Sequence, residues 1–318
     1  HRPIRPENIP DEYWDLIQLC WKQNPAERPT FYEIVQMLKN DKFAIKEVGM
    51  ETDLNELHEY QKRIDSCEIT YSKISPFIIE AEQLKSQVKE LKQMIIPTRI
   101  QHQSDNCFID EHDEKFHQVL SKIGEGATSI VYKILDTRTN QIMCKKILKI
   151  CKNDEVAFTT LKSAIKEFEI LSKINFPGIC QVIGINTSEI VTDSNISNKN
   201  EPEITTIALF LEFQDYSLAE CLKNMNNTLK TRIVIEIAHA MNFIHKKGLI
   251  HRDLKIDNIR LNSVYEAKII DFGLVRIHEC LLENYSFIKE SITKGVGTFM
   301  YMSPEMLNEE DYDYKTDV

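Results

Sequence analysis

Apolar positions change their spacing several times along the chain, and each change marks a new element. After Pro10, residues Tyr13, Trp14, Ile17, Leu19, Cys20 and Trp21 supply the apolar positions of a helical pattern, which Asn24, Pro25 and Pro29 break. Thr30 then stands three residues before Glu33 in capping-box register, and Phe31, Ile34, Val35 and Leu38 form the apolar face of a second short helix. Two such helices bury too little surface to fold alone. Further on, Phe77, Ala81, Leu84, Val88, Leu91 and Ile95 alternate steps of four and three, flanked by Glu80, Glu82, Lys85, Lys89, Glu90 and Lys92, until Pro97 ends the run. This seam over 77–95 predicts a parallel homodimer or a single amphipathic helix lying on a neighbouring lobe. Its short length favours the single helix.

From Val119 to Ile150 the period falls to two, which predicts strands joined by hairpin turns, one of them at Thr139-Asn140. Helical spacing returns over about 155–173 and about 229–247. Residues 186–205, rich in Asn, Ser, Thr and Glu, read as a loop between two strands. The expected organisation is a block at 1–47, a helical connector at 48–115 and a larger domain at 116–318.

Composition narrows the class. The 318 residues leave room for about two domains, and 42% hydrophobic with 28% charged residues suits soluble globular protein. No run approaches the roughly 18 apolar residues of a membrane span, so no membrane partner is expected. The first residues lack the apolar core of a signal peptide. A net charge of −10 argues against nucleic-acid binding. Eight scattered cysteines without a Cys-x-x-Cys pair argue against structural zinc. They favour reduced thiols, hence a cytoplasmic setting or the nucleus.

The chemistry concentrates late in the chain. Residues 251–258 read His-Arg-Asp-Leu-Lys-Ile-Asp-Asn, and Asp271-Phe272-Gly273 begins eighteen residues after Asp253. Asp253 is a candidate base, Lys255 a charge neutraliser, and Asn258 and Asp271 are candidate Mg²⁺ ligands. Phosphoryl transfer needs this kit: metal on the phosphate oxygens, a carboxylate on the incoming hydroxyl, and little covalent chemistry from the protein. The segment resembles the catalytic and metal-binding loops of eukaryotic protein kinases.

That resemblance implies an α+β fold of two lobes over 116–318, a β-rich N-lobe and a helical C-lobe cut short, preceded by a helical connector. It also implies roles elsewhere. Gly124-Glu-Gly126-Ala-Thr-Ser129-Ile-Val131 is similar to the glycine-rich loop that closes over phosphates, with Ser129 at the third glycine and Val131 against adenine. Lys146 stands where the family has its phosphate-binding lysine. Lys145 is the competitor, but Lys146 shares a strand face with Cys144, which stands where the family has Ala against adenine. Glu167 is the expected carboxylate partner, with Glu169 turned toward solvent. Glu212 to Gln214 resemble the adenine-binding hinge, after the gatekeeper Leu211. Leu171, Val182, His251 and Phe272 fall where the family stacks a spine. Arg260 replaces the apolar residue that usually closes the adenine pocket from below.

Lys255, with Thr298 in Gly297-Thr-Phe-Met-Tyr-Met-Ser-Pro-Glu305, looks like the Ser/Thr subclass, in which Thr298 bonds the base and the lysine in a substrate platform. Arg252 and Arg276 suggest anion binding, with Thr293 and then Ser291 as the expected phosphosites.

Residues 19–31 are similar to the last helices of tyrosine-kinase-like domains. In that family the residue matching Arg28 pairs with an upstream Glu, which this chain is expected to lack. The chain therefore reads as a fragment of a tandem kinase, with a C-lobe core unable to close. A domain in permuted order, with the first block completing the lobe after it, is the less favoured reading. The implied activity is transfer of the γ-phosphoryl of ATP to protein hydroxyls with Mg²⁺, in signal transduction. The alternative is a pseudokinase or scaffold that binds partners without turnover.

Overall fold

The computed structural model describes residues 4–7, 9–45, 51–72, 115–126, 129–151, 163–164, 166–172, 174–186, 190–191, 204–277 and 297–318. In chain order the helices α1 (Asp11–Cys20), α2 (Phe31–Leu38) and α3 (Leu54–Ser72) come first. Strands β1 (His117–Glu125), β2 (Ser129–Asp136) and β3 (Gln141–Cys151) follow, then a helix α4 (163–172). Next are β4 (Val182–Asn186), β5 (Ile190–Val191), β6 (Ile204–Glu212), β7 (Tyr216–Ser217), α5 (Leu218–Cys221) and α6 (Asn227–Lys246). The last are β8 (Leu249–Ile250), β9 (Ile259–Leu261), β10 (Ala267–Ile269), β11 (Arg276–Ile277) and α7 (Pro304–Leu307). These elements form two compact units, one β-rich and one mainly helical, as the expected α+β class requires.

The β-rich unit is an antiparallel sheet in the order β1-β2-β3-β6-β4, with β5 paired to β6. The predicted hairpin turn closes at Asn140, whose φ of 58° is the left-handed conformation that Asn tolerates. Strand alternation splits β6 between two cores. Ile207 and Leu209 join Leu148, Ala164 and Ile185, with Phe168 of α4 packed on them. Ala208 and Phe210 join Ile134 and Met143 on the opposite face. The face under α4 is therefore the face that carries Lys146.

The helical unit is built around α6. Asn226 caps it by accepting from the Leu229 N–H at 2.8 Å, and Gly248 at φ 67° ends it. Ile233, Ile235, Ala238, Ala240, Met241, Phe243 and Ile244 are buried. Residues 176–179 belong to this unit: Phe176 stacks on Phe243 with centroids 4.6 Å apart, and the Gly178 carbonyl accepts from the Ile269 N–H at 2.9 Å. A Cβ at Gly178 would lie 2.8 Å from the Ala240 Cβ, so no larger residue fits that approach.

Two of the organisational expectations fare differently. Helix α2 has the predicted capping box, with Thr30 and Glu33 bonding each other's backbone N–H. It does not stand apart from the later elements. Its apolar face, Phe31, Ile34, Val35 and Leu38, is buried, and α2 packs on α6. Each such side chain contributes roughly 1.5–3 kcal/mol gross on burial. Helix α3, expected in a connector, also packs on α6, with Leu57 and Ile64 buried. Tyr13 and Thr231 hydroxyls meet at 3.2 Å, and the Asp53 N–H donates to Thr228 Oγ1 at 2.9 Å.

The expectation that Arg28 lacks its carboxylate is corrected. Glu305 accepts from both terminal nitrogens of Arg28, at 2.6 and 2.8 Å. Both α2 and α3 thus lay apolar side chains on α6, although they precede it by more than 150 residues in the chain. The 77–95 seam lies outside the described residues.

Candidate active site

The loop after β8 holds its shape through Asp317. That carboxylate, 1% exposed, accepts from the backbone N–H of His251 at 2.8 Å and of Arg252 at 2.7 Å, and meets His245 Nε2 at 2.8 Å. Arg252 takes φ 68°, an uncommon conformation for a non-Gly residue that the two bonds to Asp317 hold in place. Its buried guanidinium donates to the Leu274 carbonyl at 2.5 Å and to the Tyr312 hydroxyl at 3.1 Å. Arg276, also buried, lies 5.5 Å from the Tyr312 ring centroid.

Asp253 is the hub. Its Oδ1 accepts from the Thr298 N–H at 2.9 Å and from the Thr298 hydroxyl at 2.8 Å. Its Oδ2 accepts from Lys255 Nζ at 2.7 Å and from Asn258 Nδ2 at 3.0 Å. Lys255 Nζ also donates to Thr298 Oγ1 at 2.5 Å. Burial pushes the Asp253 carboxyl up, but the bonds from Lys255 and Thr298 outweigh it and hold the group below the usual carboxylate range. It is therefore ionised at neutral pH. Gly297 sits at φ 115°, and a Cβ there would come 2.8 Å from the Arg252 carbonyl, so the turn into Thr298 requires glycine. Just beyond, Phe299, Met300 and Tyr301 are 75%, 89% and 51% exposed, an apolar turn open to solvent.

Asn258 and Asp271 are tied through the backbone, since the Ile270 N–H donates to the Asn258 carbonyl at 2.9 Å. The side-chain amide of Asn258 donates from Nδ2 to Asp253, at 2.8 Å to its carbonyl and 3.0 Å to its carboxylate. The side-chain oxygen Oδ1 is then the atom left for a metal. Asp271 is exposed at φ 64°. Phe272 beside it is fully buried with its ring 5.2 Å from His251, as the spine expectation requires of those two residues. Among the described residues no three His, Cys, Asp or Glu side chains cluster as a metal cage. Two oxygen donors suit Mg²⁺, which keeps waters and substrate phosphates as its remaining ligands.

In the β-rich unit, Lys146 donates to both oxygens of Glu167, at 3.0 and 2.9 Å. Glu167 is 2% exposed and Lys146 15%. Lys145 points to the other face, where its Nζ lies 5.6 Å from the Phe210 ring centroid. Glu169 is half-buried rather than turned fully to solvent. In register, Lys146 lies opposite Val131 and Cys144 opposite Leu211. Gly124 lies opposite Val131, Glu125 opposite Ile130 ends the paired part of β1, and the Gly126 N–H donates to the Ser129 carbonyl at 2.8 Å.

Glu212 is less available than a hinge residue was expected to be. Its N–H donates to the Gln181 carbonyl at 3.0 Å, and its side chain accepts from the Gln181 N–H at 2.9 Å. Its carbonyl accepts from Cys180 Sγ at 3.7 Å. Gln214 is buried in the helical unit. Arg260 lies in β9 between Lys268 of β10 and Ser217 of β7, and is half-buried. Leu171 is buried and Val182 half-buried. Thr293 and Ser291 lie outside the described residues.

Two supports of this site escape sequence reasoning as site residues. In sequence, Asp317 looks like the start of a helix and Glu305 like the end of a motif. Neither stands out by type, since Glu309, Glu310, Asp311 and Asp313 lie between them.

Comparison with known proteins agrees with this geometry. Residues 117–318 match the protein kinase domain family, and the chain belongs to it. Residues 1–38 match the family of protein tyrosine and serine/threonine kinases. The chain is 34% identical over 205 residues to a probable serine/threonine-protein kinase of Dictyostelium discoideum, covering 63% of this chain and 20% of that protein. It is 30% identical over 206 residues to cyclin-dependent kinase 12 of Drosophila melanogaster, covering 63% and 17%. It is also 30% identical over 200 residues to mitogen-activated protein kinase mpk-1 of Caenorhabditis elegans, covering 63% and 41%. The match thus spans less than half the length of each of these relatives. No described helix is long and apolar enough to cross a membrane.

Proposed function

We propose that the chain transfers the γ-phosphoryl group of ATP to serine or threonine hydroxyls of proteins. The observation that carries this reading is the fourfold coordination of Asp253 by Thr298, Lys255 and Asn258. An ionised carboxylate has about four acceptor positions, and here four donors use them. An incoming hydroxyl must displace one. Lys255 is the donor able to leave, because its long side chain then meets the phosphate charge.

Asp253 orients the hydroxyl and takes its proton as the oxygen bonds to phosphorus and the bond to the ADP oxygen breaks. Lys146, held by Glu167, binds phosphate oxygens under the backbone of Gly124 and Gly126. Asn258 Oδ1 and the Asp271 carboxylate would hold Mg²⁺, which would supply neutralisation of phosphate charge. The family resemblance assigns adenine binding to Val131, Cys144 and Glu212 in the β-rich unit and to Gln214 and Arg260 in the helical unit. Thr298 and the exposed turn after it receive the protein substrate.

The remaining expectations rest on sequence. Thr293 and Ser291 are read as phosphosites answering to Arg252 and Arg276. The 77–95 seam is read as an amphipathic helix whose pairing would make a homodimer. The cysteine pattern supports a cytoplasmic protein, and the acidic balance supports the absence of nucleic-acid binding.

The test is transfer of labelled γ-phosphate to a degenerate Ser/Thr peptide mixture by the full chain with Mg²⁺, compared with Asp253→Asn. Loss of transfer with ATP binding retained supports the reading. ATP binding by the unaltered chain without any transfer would favour the scaffold.

A further inference from the structure

Helix α3 sits on α6 by a thin contact. Of its described side chains, two apolar ones are buried, Leu57 and Ile64. Gln61 is buried with them, and its Nε2 has no hydrogen-bond partner among the described residues, which weakens the contact. Arg63 pairs with Glu266 at 2.8 Å and Asp65 with Lys39 at 2.6 Å, but these pairs lie near solvent and contribute little. The first turn is fastened better. The Asp53 N–H donates to Thr228 Oγ1 at 2.9 Å, and Asp53 Oδ1 accepts from the Asn55 and Glu56 N–H groups at 2.9 and 3.1 Å.

Two turns further on, Tyr60 pins the helix. Its ring centroid lies 4.9 Å from Arg63 Cζ and 5.3 Å from Arg232 Cζ, and its hydroxyl donates to the Glu236 carboxylate. Burial, with the charges of Glu236 and Glu266, pushes the phenol up, so it stays a donor. The groups around this hydroxyl are already engaged. Arg232 donates to the Val264 and Tyr265 carbonyls at 3.2 and 2.9 Å, Arg63 holds Glu266, and Glu236 accepts from the Ala267 N–H. A phosphate on Tyr60 would set about two negative charges against Glu236 and Glu266. Arg63, three residues along the same helix, can answer it only by leaving Glu266.

We propose that Tyr60 is a phosphorylation site for a tyrosine-directed protein kinase, and that its phosphate releases α3 from α6 while the Asp53 end stays fastened. The hydroxyl is presented when α3 lifts, because so thin a contact opens more often than the core. The modifying enzyme moves the γ-phosphoryl of ATP to Tyr60 Oη, the bond to the ADP oxygen breaks, and the phenol proton passes to that enzyme's base. The phosphate then holds the lifted state, since only that state accommodates it. Release uncovers the α6 face under Leu57 and Ile64 and frees Glu266 in the turn between β9 and β10. None of this rests on the kinase reading of the chain itself.

The experiment uses the 318-residue chain with phosphotyrosine installed at position 60 by genetic code expansion, beside the unaltered chain, Tyr60→Phe and Glu236→Gln. Hydrogen exchange is read at the amides of 57–66, with 233–244 of α6 as the control. The phosphate is expected to speed exchange over 57–66 by about a hundredfold or more and to leave α6 unchanged. Tyr60→Phe loses one bond to a charged group and gains no charge, so about tenfold is expected. In the Glu236→Gln background the phosphate should have a smaller effect, because one opposing charge is gone. A tyrosine kinase chosen because it labels a synthetic 54–66 peptide is expected to label Tyr60 in the unaltered chain.

Protection over 57–66 that is unchanged or increased by the phosphate would overturn the proposal, since the phosphate would then have partners in the docked state. Loss of protection in α6 as well would make α3 part of the core rather than a releasable helix. An equal effect of the phosphate with Glu236 and with Gln at 236 would overturn the repulsion that drives release. Absence of label at Tyr60 in the chain, by the kinase that labels the peptide, would mean that the hydroxyl is never presented.

Discussion

Thr298 gives Asp253 two hydrogen bonds at a single oxygen, 2.9 Å from its backbone N–H and 2.8 Å from its hydroxyl. The hydroxyl is shared, because Lys255 Nζ donates to it at 2.5 Å. Thr298 thus sets the rotation of the carboxylate and the resting position of the ammonium together. Thr298→Ala removes the hydroxyl and leaves the N–H bond. Bonds to a charged group contribute about 1.5–3 kcal/mol, so kcat should fall roughly ten- to a hundredfold. Thr298→Ser should retain most activity. Steady-state kinetics on both variants checks this, and equal rates for the Ala variant and the unaltered chain would contradict it.

Lys146 and Glu167 make a second prediction through burial. With Glu167 2% exposed, Lys146→Met strands a carboxylate without its ammonium. Breaking a buried pair from one side costs about 3 kcal/mol or more, whereas replacing both partners by apolar groups costs much less. Denaturant unfolding should show the single variant destabilised by about that amount and Lys146→Met with Glu167→Leu recovering most of it. Neither variant should transfer phosphate.

Gly297 yields a third prediction. At φ 115°, with the Arg252 carbonyl 2.8 Å from any Cβ, Gly297→Ala must move the turn that delivers Thr298. Strain of this kind costs about 1–3 kcal/mol. Here it falls on Asp253's partner, so kcat per folded molecule should drop about tenfold beside a stability loss of about 1–3 kcal/mol. A large loss of stability with unchanged kcat per folded molecule would show that the turn relaxes without disturbing Asp253.

How legible this site is depends on where each partner lies in the chain. Lys146, Glu167 and the Asp253 cluster are readable because strand period, helix period and short spacings restrict which side chains share a face. The Thr30–Glu33 box is readable for the same local reason. Arg28 and Glu305 are 277 residues apart, and nothing in periodicity pairs them. Chain order instead suggests that Arg28 has lost its partner. The spent N–H of Glu212 is hidden too, because it depends on the approach of Gln181 across a sheet edge. Left-handed backbone at Arg252 carries no residue signal, since Arg has no preference for that conformation.

The last prediction concerns Glu236 of α6, where α3 docks. Tyr60 of α3 bonds its carboxylate, the Ala267 N–H donates to it at 2.5 Å, Arg232 Nε lies 3.3 Å away, and Glu266 adds negative charge. Burial is the largest influence and raises the Glu236 pKa from 4.5 to about 7, against the lowering effect of the Tyr60 and Ala267 bonds. Between those values the folded chain keeps a proton that the unfolded chain has released. Stability from this group is therefore full below about pH 4.5, falls as pH rises to about 7, and is level above that, a total change of about 3 kcal/mol. Glu236→Gln cannot titrate, so the slope it contributes should vanish. Unfolding free energies of both proteins from pH 5 to 8 should differ by an amount that changes steadily up to about pH 7 and then stays constant. A constant difference across the whole range would mean that Glu236 is already ionised at pH 5 and that α3 docks on a charged carboxylate.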